Sequence, residues 1–249
     1  MTSGNKTIFF CGDVHSDFDP VYYAVKAHRP AAVILLGDLQ PQFPLEEELE
    51  PIQALGAEVF FIHGNHDTDS ETYWARVFNP AVNHLNLHGR VVEIAGYRIA
   101  GLGGTFRGKV WYPPEKHKYR NAESYRRQLH PKLEITPRLR SSIWPDDYDS
   151  LFFGKKADIL VTHEAPSCHP NGFEAIDLLA QALGVKQSFH GHHHDCLDYS
   201  KHWDALGFRA FGVGLRGVSD QDGNVVVAGE MDEERSAARQ QVVDAWGSP

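Results

Sequence analysis

The sequence predicts an α/β fold, and two observations carry that expectation. Apolar β-like runs alternate with helical stretches through the first 65 residues, which implies βαβ units and hence a parallel sheet. Five polar blocks also each follow directly on a β-like run, as loops do when they leave the carboxyl ends of parallel strands and converge on one crevice.

In chain order, Ile8 to Cys11 reads as a strand, Pro20 to His28 as a helix, Val33 to Leu36 as a strand, Leu45 to Leu55 as a Glu-rich helix and Val59 to Ile62 as a strand. Val91 to Ile94 and Tyr97 to Leu102 flank Ala95-Gly96, a spacing that predicts a hairpin. Strand-like runs recur at Ile159 to Val161, Gln187 to Phe189, Phe208 to Phe211 and Val225 to Ala228, with Asp222-Gly223 as a turn signal between the last two. A helix fits Phe173 to Leu183, closed by Gly184 as its C-cap, and Asp232 to Trp246 reads as a polar surface helix. Phe106 to Arg140 follows neither period: it carries ten Lys/Arg against three Glu, a local charge of +7, together with Phe106, Trp111, Tyr112, Tyr119 and Tyr125. No repeat or linker divides the chain. A single domain over residues 1–249 is therefore expected, with a basic, aromatic-rich insertion at about 106–140.

Composition bounds the function. The 249 residues are 42% hydrophobic and 23% charged, which excludes a disordered, collagen-like or coiled-coil chain. Three cysteines, Cys11, Cys168 and Cys196, are too few and too odd a set for a secreted disulfide scaffold and point to a reducing compartment. The apolar run near the start is too short for a signal segment, and no window reaches the ~18 apolar residues of a spanning helix. A cytoplasmic location and no membrane partner are expected. The net charge of −9 argues against nucleic-acid binding over the whole surface, without bearing on a local patch.

The five blocks are Gly12-Asp13-Val14-His15, Gly37-Asp38, Gly64-Asn65-His66-Asp67, Thr162-His163-Glu164 and Gly191-His192-His193-His194. Eight of the 15 histidines lie in or beside them. A converging set of imidazoles, carboxylates and one carboxamide suits two or more divalent ions such as Zn, Mn or Fe. Such a pair has a physical purpose. Two adjacent cations can together neutralise an anionic group and lower the pKa of a bound water.

These motifs, in this order, resemble the calcineurin-like metallophosphoesterase superfamily, whose pattern is D-x-H, GD, GNH[DE], H and GHxH; the match spans residues 12 to 194. The resemblance implies a four-layer αββα sandwich of two mixed β-sheets flanked by helices. It also implies two divalent or transition metal ions (Mn, Fe, Zn or Mg), with Asp13, His15 and His194 on the first, Asn65, His163 and His192 on the second and Asp38 bridging both. His66 would protonate or stabilise the leaving alkoxide. The implied activity is hydrolysis of phosphate mono- or diesters by in-line attack of a metal-bridging hydroxide.

One departure matters: Asp38 is followed by Leu39-Gln40-Pro41, whereas the Ser/Thr protein phosphatases of this superfamily read GDxxDRG. The second Asp and the Arg of that branch are missing, which disfavours a protein phosphatase and leaves His66 without an identified orienting partner. Arg107, soon after Gly103-Gly104, is the best single phosphate-contact candidate. The charge and aromatics of the insertion favour an anionic phosphate-ester substrate drawn from nucleotides or nucleic-acid ends. The alternative is a non-catalytic scaffold of the same fold that binds a protein partner; such a scaffold need not retain ligands, and here every ligand position is filled. Amidohydrolase-type enzymes begin with an H-x-H pair, unlike Asp13-Val14-His15.

Overall fold

The structure, a computed structural model, describes residues 6–130 and 133–246. The first sheet contains β1 (Ile8–Cys11), β2 (Ala32–Leu35) and β3 (Glu58–Phe61), all parallel. The second has the order β4 (Arg90–Ile94), β5 (Tyr97–Leu102), β6 (Ile159–Thr162), β7 (Gln187–His190) and β8 (Arg209–Gly212), parallel except for the β4–β5 hairpin. Two late strands, β9 (Val218–Asp220) and β10 (Val225–Val227), return to the first sheet, β9 lying antiparallel to β1. Both sheets are therefore mixed.

Alternation along each strand divides the core into layers. Ile8, Phe10, Ile34 and Leu36 of the first sheet meet Ile99, Ile159, Val161 and Phe189 of the second, and the Phe10 and Phe189 rings stack at 3.8 Å. The intervening residues Phe9, Cys11, Val33 and Leu35 lie under α1 (Asp19–His28) and α2 (Leu45–Gln53), near α3 (Glu71–Val77). Two short helices, α4 (Ala122–Arg126) and α5 (Pro137–Arg140), precede α6 (Pro145–Phe152) and α7 (Glu174–Leu183), which cover Ala100, Leu102 and Leu160 on the outer face of the second sheet. Helices on both outer faces complete the αββα sandwich. The chain ends through α8 (Trp203–Leu206) and α9 (Asp232–Ala245).

Local chemistry explains the boundaries. Ala95 and Gly96 adopt positive φ at the expected hairpin, and Gly184 closes α7 at φ 72°. The helix expected to reach Leu55 ends at Gln53, where the Leu55 and Gly56 N–H groups donate to Ile52 O and Gln53 O in tighter turns and Gly56 takes φ 93°. Strand β9 escapes sequence reading because Val218-Ser219-Asp220 offers a single apolar residue, unlike the equally short Val225–Val227; Asp222-Gly223 turns β9 into β10, while β8 belongs to the other sheet.

The stems of the insertion are pinned together: the Thr105 N–H donates to Ser141 O (2.9 Å) and the Ile143 N–H to Thr105 O (2.9 Å). Most of its aromatics are structural. Trp111 packs edge-on to Phe106 and Tyr148 at 5.1 and 5.2 Å, and Tyr119 meets Tyr125 at 4.8 Å. Tyr112, 48% exposed, is the one left open.

Candidate metal centre

All five blocks leave the carboxyl ends of parallel strands, β1, β2, β3, β6 and β7, and their side chains converge. Glycine makes the approach feasible. At Gly37, φ is +105° and a Cβ would stand 2.4 Å from His163 Nδ1; at Gly64 it would stand 2.2 Å from Asp38 Oδ1. Four of the seven candidate ligands, His15, Asp38, His192 and His194, have φ between 41° and 72°. Left-handed backbone costs on the order of 1 kcal/mol or more per non-glycine residue, strain that folds retain chiefly at functional sites.

Two donor groups result. Ligand atoms of Asp13, His15, Asp38 and His194 lie within 4.8 Å of one another, as do those of Asp38, His163 and His192. Asn65 joins the second group, its Oδ1 3.2 Å from His163 Nε2. Asp38 is common to both. Its Oδ1 accepts from the His66 backbone N–H (2.7 Å), while Oδ2, buried and without a hydrogen-bond partner, lies 3.9 Å from His15 Nε2 and 3.4 Å from His163 Nε2. Two imidazoles are aimed from behind: His15 Nδ1 donates to Gln40 Oε1 (2.6 Å) and His163 Nδ1 to the Leu36 carbonyl (2.8 Å), which leaves each Nε2 facing the centre. Asp13 accepts the His192 N–H on both oxygens and stands 3.0 Å from His194 Nε2.

The electrostatics call for a cation. Burial alone would raise Asp38, yet the charge and proximity of His163, with the His66 N–H, hold it below the usual carboxylate range. Burial opposes a charge on His163 too, but Asp38 and Asp13 lift it to about 10. A proton held on a fully buried imidazole by two carboxylates stands where positive charge is needed. His192, lowered to about 3 by burial and by His163, is neutral and so in the state that ligates metal. The nitrogen- and oxygen-rich donor set fits divalent or transition ions.

His66 lies at the rim, its side chain 45% exposed and its ring 5.4 Å from that of His15. Its partner is Asp69, whose Oδ2 is 2.6 Å from His66 Nδ1 across a 3-10 turn. The adjacent Asp67 points elsewhere: it accepts the Gln40 and Gly64 N–H groups, and burial followed by the charge of Asp38 pushes it up to about 7. Arg107 lines a crevice of about 420 Å³ together with Asn65, Glu164, His192, Tyr112 and Phe173, so it shares a wall with the second donor group. Glu164, His192 and His193 form a further close group. His63 and His190 are buried beside the centre outside both donor groups, His190 being 3.2 Å from the Tyr199 hydroxyl. Gln40 and Asp69 escaped sequence reading; the only signal was their place within three residues of Asp38 and His66.

Residues 6–196, which contain all five blocks, match the family of the calcineurin-like phosphoesterases. An uncharacterized protein of Haemophilus influenzae is 39% identical over 233 residues, covering 92% of this chain and 100% of that protein. A solved crystal structure, 11% identical, shares the fold with a TM-score of 0.56 over 88% of this chain and 96% of its own. This chain belongs to the calcineurin-like phosphoesterase family.

Proposed function

We propose that the chain is a binuclear metal-dependent phosphoesterase that hydrolyses anionic phosphate mono- or diesters, with nucleotides or nucleic-acid ends as the favoured class. Asp38 carries the proposal: one buried carboxylate belongs to two donor groups and keeps an oxygen free of hydrogen bonds between them. Asp13, His15 and His194 would hold one ion, Asn65, His163 and His192 the other, and Asp38 both. Bound there, two ions such as Mn, Fe, Zn or Mg supply neutralisation of the phosphate oxygens and a water acidic enough to become a nucleophile near neutral pH. His66, with Nδ1 held by Asp69, offers Nε2 to protonate the departing alkoxide. Arg107 binds phosphate oxygens from the facing wall.

The lean toward nucleotides is supported by an apolar pocket of about 540 Å³ next to the crevice. Tyr112 and Phe173 line both, and Trp111 and Phe152 extend the apolar wall. A planar ring can lie there while its phosphate reaches the donor groups. The chain works as one domain, residues 106–140 forming part of this wall, and its free thiols suit a cytoplasmic setting. The test is metal analysis with a panel of p-nitrophenyl mono- and diesters and nucleotides assayed with Mn, Zn, Fe and Mg. Two metals per chain and metal-dependent turnover are expected, with Asp38→Ala losing both. Retained activity in Asp38→Ala would overturn the two-metal assignment, and a metal-loaded chain that turns over no ester would restore the scaffold alternative.

A further inference from the structure

We infer that the substrate carries a second phosphate, bound beside the metal crevice in a basic pocket formed by Arg107, Lys109 and Arg138. This rests on the proposal that the crevice is where a phosphate ester is hydrolysed. The pocket has a volume of about 420 Å³, and its lining holds three cationic side chains, the Thr136 hydroxyl and no carboxylate. Phe106, Arg107 and Tyr112 line both it and the metal crevice, so the two spaces adjoin.

The fold assembles this pocket from residues far apart in the chain. Thr105 is paired with Ser141 and Ile143, which returns the end of the insertion to its beginning. Arg107 and Trp111 exchange backbone hydrogen bonds of 2.9 and 2.8 Å, closing a tight loop with Lys109 exposed near its tip. Val110 and Leu139, the immediate neighbours of Lys109 and Arg138, pack together with Trp144 in one buried cluster. That apolar contact sets the two cations at one opening.

No direct ion pair within the described residues holds these charges. Among the described residues none of the three cations forms an ion pair with a carboxylate, whereas Arg120 in the same segment is held by Asp146 and Asp149 at 2.7 Å each. Arg107 Nε is buried without a hydrogen-bond partner. Burial, then the nearby charge of Arg138, lowers the Arg107 guanidinium from its ordinary value, and the carboxylates of Glu164, Asp69 and Asp38 offset this only in part. A phosphate between Arg107 and Arg138 would supply a direct anionic partner, with bidentate guanidinium contacts. The other basic groups of the insertion are less suited: Lys118 donates to the Gly108 carbonyl, and Arg127 pairs with Glu123.

The test uses metal-loaded full-length protein and two matched substrate pairs. One is adenosine 5′-monophosphate against adenosine 3′,5′-bisphosphate; the other is the p-nitrophenyl ester of thymidine 5′-monophosphate against the same diester with a 3′-phosphate. The quantity read is the ratio of kcat/KM, doubly over singly phosphorylated, in whichever pair is turned over. Wild-type protein is expected to favour the doubly phosphorylated member. Arg138→Gln and Lys109→Gln should each lower the ratio about tenfold, equivalent to about 1.4 kcal/mol. Arg120→Gln removes the same charge from the same segment and should leave the ratio unchanged. A wild-type ratio near one, an unchanged ratio in both pocket variants, or an equal fall in Arg120→Gln would overturn the inference. Should Arg138→Gln melt below wild type, the exposed Lys109→Gln decides. p-Nitrophenyl phosphate separates the two levels: its turnover with no second-phosphate effect removes this pocket alone, and no turnover of any ester removes the phosphoesterase proposal beneath it.

Discussion

The 2.6 Å contact between His66 Nδ1 and Asp69 determines which ring nitrogen can serve a substrate. Nδ1–H is committed to the carboxylate, and Nε2 is left to exchange a proton. His66→Ala should therefore lower kcat by about a hundredfold or more on alkyl phosphates, whose alkoxides need a proton, and by much less on p-nitrophenyl esters, whose leaving group does not. On the proposed role of His66, Asp69 would act through it as a positioning residue. Asp69→Asn should reproduce the same leaving-group dependence at about tenfold, with KM little changed; an equal loss on both ester types would show a merely structural role. The sequence makes His66 conspicuous within Gly64-Asn65-His66-Asp67, but Asp69 lies outside the block. Only the 3-10 turn over His66–Thr68 brings it back to the ring while Asp67 turns inward.

At the scale of elements, the site depends on two sheets holding their strand ends in register. Phe10, fully buried, stacks on Phe189 across the interface, and their strands β1 and β7 end in the blocks carrying Asp13 and His192. Phe10→Ala should destabilise the protein by about 3–5 kcal/mol in urea unfolding, because rigid neighbours on both sheets cannot close the cavity. A loss below about 1 kcal/mol would mean that the interface repacks. The N-terminal strands were legible because parallel strands buried on both faces, wholly in β1 and β2 and largely in β3, leave nearly continuous apolar runs. The helices α3 and α6 were not: they span seven and eight residues, too few for a periodic stripe, and their start signals, Ser70 as a side-chain cap and Pro145 in the first turn, recur in ordinary turns.

Across the whole molecule, charge is sorted by location. The insertion carries +7, so the remainder sums to −16 within the net −9 of the chain, and Asp13 and Asp38 are buried under the crevice. A cation bound there favours the folded state by mass action, about 2.7 kcal/mol at a hundredfold excess over Kd. Chelation should therefore lower Tm by roughly 5–10 °C, reversibly on adding Mn or Zn, given about 2–4 °C per kcal/mol for a chain of this size. Asp38→Asn should respond much less to the chelator; an unchanged Tm in wild type would argue against a metal coupled to folding. The sequence by itself determined the α/β class and, through five blocks that each follow a β-like run, where the polar side chains converge; the resemblance of those blocks to the family named the seven candidate ligands and His66. Those signals are local, since a tight turn at a strand end requires its glycine wherever the strand lies. Only the folded structure decided that Asp69 lies against His66, that most insertion aromatics pack inward and that Arg107 and Arg138 line one pocket. The Asp69 contact depends on a local 3-10 turn that no strong sequence signal marks, and the others on contacts between residues far apart in the chain, which are set by packing.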